Sequence, residues 1–138
     1  MEKMLIDQDI KVVCVTADSF PEGIMGAHKK LHSIIPFSTD RRYYGMSRPE
    51  NGNIIYKAAA EKLEADEGSK FTLEELIIQK GEYMGITILN YQTDSRMIGK
   101  AFEDLIKLPN IDPNGYCIEW YVNDKDVKCL IRLHDSKK

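Results

Sequence analysis

Residues 94–108 read "DSRMIGKAFEDLIKL", and the apolar side chains Met97, Ile98, Ala101, Phe102, Leu105 and Leu108 recur every three or four positions. That spacing places them on one stripe of an amphipathic helix. Asp94 stands where a capping side chain is wanted, and Pro109 ends the run. An earlier stretch, "PEGIMGAHKKLHSII" (21–35), has the same form. Ile24, Ala27, Leu31 and Ile34 share a face, Pro21 suits a first helical turn, and Pro36 follows. Moving Ala27 onto Ala101 also moves Leu31 onto Leu105 and Ile34 onto Leu108, a shift of 74 residues.

The flanking segments obey the same shift. "VVCV" (12–15), within the β-branched stretch 10–17, falls on "ITIL" (86–89), and the strand pattern at 43–49 falls on 117–123. Strand 41–49 turns through Asn51-Gly52, a hairpin dipeptide, into "IIYKAAAEKL" (54–63). "YCIEWYV" (116–122) and "VKCLIRL" (127–133) form the matching hairpin, and 73–89 is extended with a kink expected at Gly81. Polar "ADEGSK" (65–70) reads as a linker. One gapless shift relating strand, helix, strand and strand predicts an α+β fold. Its duplicated βαββ units, about 1–64 and 71–138 of one domain, join antiparallel sheets and two helices about a pseudo-two-fold axis. Each unit is short of core alone, so the two must combine, and a groove forms along such a seam.

The totals exclude several classes of function. The 138 residues carry a net charge of −3, which argues against a polyanion-binding surface and hence against direct nucleic-acid binding. No apolar run is long enough for a transmembrane helix, and "MEKMLIDQDI" has charges where a signal peptide needs an apolar centre, so a cytoplasmic protein is expected. Cys14, Cys117 and Cys129 are odd in number and lack CxxC spacing, which fits reduced thiols. His28 and His32 have the i, i+4 spacing of a helical metal pair but no evident third ligand, so no metal or other cofactor is expected.

"GYCIEWYVN" (115–123) sets one carboxylate among packing residues. Alternation gives Tyr116, Ile118, Trp120 and Val122 one face, suited to packing on the helices, and Cys117, Glu119 and Tyr121 the other. By the shift, Tyr43 maps onto Cys117, Gly45 onto Glu119 and Ser47 onto Tyr121, which leaves room opposite the carboxylate. Gly26 and Gly99, inside helices, are read as sites of close helix packing. Of Arg41 and Arg42, at most one faces the groove, and Arg48 with Glu50 is read as fixing the hairpin.

"GEY" (81–83), "IGKAFEDLIKL" (98–108) and "PNGYCIEWY" (113–121), in that order, resemble the GyrI-like family, as do "ADSFPEGIMGAHKKL" (17–31) and "RRYYGMSRPENG" (41–52). That family includes the effector-binding domains of AraC- and MerR-type multidrug regulators. The resemblance implies a groove between two βαββ units that binds hydrophobic, often cationic small molecules against a central glutamate, here Glu119. It also makes Tyr121, Tyr83 and Trp120 candidates, while Tyr43, Cys117 and Ser47 join the ligand-binding set through strand face and the shift of 74 residues. No helix-turn-helix pattern accompanies the repeat. The leading expectation is non-catalytic binding. The alternatives are a hydrolase of cyclopropane-containing electrophiles using Glu119, as in a minority of the family, and a protein-interaction role such as gyrase inhibition.

Overall fold

The computed structural model describes residues 1–94 and 96–134; Ser95 of the expected helix and the last four residues of the expected second repeat lie outside that description. Among the described residues the chain forms β1 (Glu2–Ile6), β2 (Ile10–Thr16), α1 (Ile24–Ile34), β3 (Tyr43–Glu50), β4 (Asn53–Glu61) and α2 (Glu67–Phe71). It continues with β5 (Glu74–Ile78), β6 (Gly81–Ile88), α3 (Arg96–Ile106), β7 (Cys117–Tyr121) and β8 (Val127–Arg132). The fold is α+β. The strands make one antiparallel sheet in the order β1-β6-β8-β7-β3-β4-β2-β5.

Local chemistry sets the elements. Asn51 and Gly52 both take positive φ, 54° and 84°, the mirror-image turn that joins twisted strands most easily. It locks the β3–β4 register, so that Glu50 faces Asn53 and Ser47 faces Tyr56. In β4 the run Ala58-Ala59-Ala60 offers little bulk, and α1 closes over Ala58 and Ala60 through Ala27 and Leu31. On the other half α3 seats Ala101 and Leu105 over Val127, Cys129 and Ile131 of β8.

Exchanging β1–β4 with β5–β8 returns the same strand order reversed, and the exchange point is the β3–β7 pairing. β1 and β5 depart from a simple side-by-side arrangement. β1 pairs with β6, and β5 pairs with β2, so each half lends its first strand to the other's outer edge.

Several expectations change. β1 is a strand the sequence reading did not foresee. The supposed linker holds α2, tied down by an ion pair described below. α1 starts at Ile24, after Pro21, whose carbonyl accepts the Ile24 N–H. The extended stretch 73–89 divides into β5 and β6 at Gln79-Lys80, with Gly81 at φ 141°. Ile118 and Trp120 do not pack on the helices. They belong to a cluster with Tyr44, Met46, Tyr83 and Leu130 that contains no helical residue and is buried because the sheet curls into a half-barrel. Nor do Gly26 and Gly99 mark close packing, since an added Cβ at either meets nothing within 4 Å.

Candidate functional site

The β3–β7 seam determines the site. Across a pseudo-two-fold seam, repeat-equivalent residues meet each other on the axis, and here Gly45 pairs directly with Glu119. The space above Gly45 is taken by the Tyr56 hydroxyl and the Glu119 carboxylate. Glycine on one strand makes space for a carboxylate on the other. The space is used closely: a Cβ at Gly45 would lie 2.0 Å from the Tyr56 hydroxyl and 2.9 Å from Glu119 Oε1.

Above the seam, α1 and α3 stand apart and leave a groove of about 1330 Å³, enough for a drug-sized molecule. Tyr43, Ser47, Cys117, Glu119 and Tyr121 lie along its floor, in agreement with strand alternation. The α1 wall presents Ile24, Met25, His28 and His32, while the α3 wall presents Ile98 and Phe102, with Arg96 at its start. Phe37 stacks on Tyr43 with centroids 5.5 Å apart and planes 3° apart, and its outer face is open to solvent. Tyr91 and His28 bracket the Tyr121 ring at 5.7 and 5.4 Å.

Glu119 is only 8% exposed. Tyr56 donates a hydrogen bond to its Oε1 at 3.1 Å, and Tyr121 donates to the same oxygen. The Tyr56 hydroxyl also lies 2.8 Å from His28 Nε2. Tyr56 has one proton, and once it is given to Glu119 the histidine must act as the donor, through an Nε2–H tautomer. The chain of donation therefore runs from His28 through Tyr56 to Oε1, where Tyr121 joins it. Among the described residues no hydrogen bond ends on Glu119 Oε2.

Burial raises the Glu119 pKa, and its two tyrosine donors pull it partly back. Burial first, and then the neighbouring carboxylate, drive Tyr56 and Tyr121 far upward, so both stay protonated donors. Cys117 is pushed up to about 11, mainly by burial, and stands in the groove as a thiol rather than a nucleophilic thiolate. His28 is lowered to about 4, by burial and then by His32.

The His28 shift gives a testable sign. Unfolded histidine titrates near 6.5, so between pH 6.5 and 4 the unfolded chain binds a proton that the folded one refuses. The stability contributed by neutral His28 is complete above pH 6.5 and disappears as pH falls toward 4. In an NMR titration the His28 ring is expected to keep its neutral signature at about pH 5.5, where an unperturbed histidine is mostly charged; a midpoint near 6.5 would contradict the buried donor role.

Two sequence-predicted site residues stand elsewhere. Tyr83 and Trp120 lie on the opposite sheet face, for the same reason of parity: each is one position out of phase with the groove-facing residues. Tyr83 is 1% exposed and its hydroxyl donates to the Gln79 carbonyl at 2.6 Å, while Lys128 lies over the Trp120 ring. His28 and His32 engage Tyr56 and Tyr43, and among the described residues no group of three or more His, Cys, Asp or Glu is placed to hold a metal. Arg42 pairs with Glu61, and Arg41 reaches the groove with its guanidinium engaged by Glu67. Arg48 pairs with Glu50 and also covers the Tyr116 ring. The sequence reading missed Tyr56. Its signal was the hairpin dipeptide, whose fixed register puts Tyr56 opposite Ser47 and on the groove face. No helix among the described residues is long and apolar enough to cross a membrane.

No protein-family model matches the chain, and no curated protein matches its sequence. Solved structures do match in shape. SAV2435 bound to tetraphenylphosphonium is 11% identical over 96% of this chain and 94% of that one, with a TM-score of 0.67. The integron cassette protein VCH_CASS2 from the mobile metagenome of Vibrio cholerae is 10% identical over 96% and 95%, with a TM-score of 0.66. A hydrolase from Listeria innocua is 6% identical over 96% and 90%, with a TM-score of 0.56. At such identities the likeness establishes one thing: the chain shares the fold of these proteins.

Proposed function

We propose that the chain binds hydrophobic cationic small molecules in the groove between α1 and α3, as an effector- or drug-binding protein of the GyrI-like kind. The observation that carries this reading is Glu119. A recessed carboxylate with one uncommitted oxygen sits on the floor of a groove lined by aromatic and aliphatic side chains, among them Phe20, Ile24, Phe37 and Phe102. Such a site offers a cation a charge partner, and aromatic faces add about 0.5–2 kcal/mol of cation–π attraction. The tetraphenylphosphonium held by SAV2435, on the same fold, supports the assignment. Calorimetry with a panel of lipophilic cations tests it. Glu119→Gln keeps the volume and removes the charge, and it is expected to weaken binding about 10–100-fold, the loss of roughly 1.4–2.8 kcal/mol. Equal affinity in the variant would overturn the ion-pair mechanism.

A second reading has its own support. A carboxyl group with a raised pKa and a free oxygen beside two phenols can serve as a general acid or base, and one neighbour in fold is a hydrolase. It predicts turnover of a cyclopropane-containing electrophile that is lost in Glu119→Ala. Binding of such compounds without turnover would exclude it.

A further inference from the structure

We infer that the groove selects cations carrying an N–H, that is protonated amines, over fully substituted onium ions of the same shape. The inference rests on the groove being a cation site and goes on to name the class of cation. Both hydroxyl donors converge on Oε1, so Glu119 offers an incoming ligand Oε2 alone. The carboxylate is recessed, at 8% exposure, and Tyr121 stands beside it on the floor. Only a slim group can descend to that oxygen.

An ammonium N–H does so and forms a charge-assisted bond at about 2.8 Å. A quaternary centre is held off by its own carbon substituents. Its nitrogen stops about 4–5 Å away, a carbon–oxygen contact plus a covalent bond, and the attraction falls with that distance. The opposing effect is hydration, because an N–H cation gives up a tighter water shell than a quaternary one. The groove floor supplies acceptors in return. The Tyr121 proton is committed to Oε1, which leaves that oxygen's lone pairs for a second N–H. Ser47 adds another hydroxyl on the same floor. Across the seam from Tyr121, the exposed Phe37 ring stacked on Tyr43 suits a flat ring. The ligand class that satisfies both features is an arylalkylamine, protonated at neutral pH.

The test is a matched pair: a protonated primary arylalkylamine and its N,N,N-trimethyl quaternary salt, with tetraphenylphosphonium as a cation that has no N–H. All three are titrated at about pH 7 into the intact protein and into Glu119→Gln. The protonated amine is expected to bind about tenfold or more tightly than its quaternary partner, and the ratio to fall to about one in Glu119→Gln. If amine and quaternary salt bind the parent equally and both lose affinity in Glu119→Gln, the cation site stands and the N–H selectivity is overturned. If none of the three binds the parent, the selectivity falls together with the cation-site reading.

Discussion

Gly45→Ala is expected to destabilise the protein by about 3 kcal/mol and to abolish cation binding, although the substitution adds a single methyl group. Its Cβ would lie 2.0 Å from the Tyr56 hydroxyl and 2.8 Å from the ring carbon that carries it. A phenol end has no rotamer of its own with which to step aside. The ring must move, and over-packing of this kind costs about 1–3 kcal/mol. The movement also breaks the Tyr56 bond to Glu119, leaving a buried carboxylate short of a donor and adding about 1–3 kcal/mol. The cause can be isolated with Tyr56→Leu, which removes the obstructing end of the ring. Gly45→Ala should be far less costly in that background, and the coupling read from a double-mutant cycle should recover most of the loss. Equal cost in both backgrounds would place the effect in the strand backbone and not in the Tyr56–Glu119 contact.

Removal of Arg41 is expected to cost more, about 3–5 kcal/mol at neutral pH, because it strands a buried charge. Both nitrogens of the Arg41 guanidinium fork grip the Glu67 carboxylate, at 2.9 and 3.0 Å, and a third bond reaches the Glu61 carbonyl. Side-chain exposures of 5% and 8% leave no water to take either partner's place. The Arg41 hydrogen bonds hold the Glu67 pKa down to about 2, against the opposing effect of burial. A depressed carboxylate contributes stability that is full above about pH 4.5 and is lost as pH falls toward 2. In Arg41→Met the lone Glu67 escapes its penalty by taking up a proton. The deficit relative to the parent should therefore shrink in denaturant melts as pH drops below about 4.5. Pairing Arg41→Met with Glu67→Met should restore most of the neutral-pH stability, since the penalty comes from the unpaired charge. A double variant as unstable as Arg41→Met alone would refute this account.

This pair also shows where the sequence stopped being readable. "ADEGSK" (65–70) has the composition of a linker, and nothing within it announces a helix. Its order comes from Glu67 meeting an arginine 26 residues earlier, a long-range contact without local periodicity. Repetition, by contrast, could be read because buried stripes recur: Ala27 and Leu31 on one helix, Ala101 and Leu105 on the other, all buried. The opposition of Gly45 and Glu119 could be read for the same reason, since the shift equates positions that the seam then pairs. Parity in β7 put Cys117, Glu119 and Tyr121 together but could not say which face the helices cover. The bulky Ile118 and Trp120 invited the wrong choice, because a curled sheet buries its second face without any helix. Tyr83 was carried by resemblance alone, and strand phase turned it away from the groove.

The exchanged edge strands bear on how the molecule comes into being. β1 contacts β6 through pairs such as Glu2 with Gly85 and Ile6 with Gly81, so β1 has no neighbour until β6, far along the sequence, has been made. β5 meets its partner β2 at once, because residues 10–14 are already made. Loops of this length are closed late, after local hairpins have formed. β1, which carries Met4 and Leu5, therefore docks late, and its pairing with β6 adds to the β3–β7 and β2–β5 pairings that bind the two halves together. Until then the unpaired backbone of β1 is open to a chaperone or a protease.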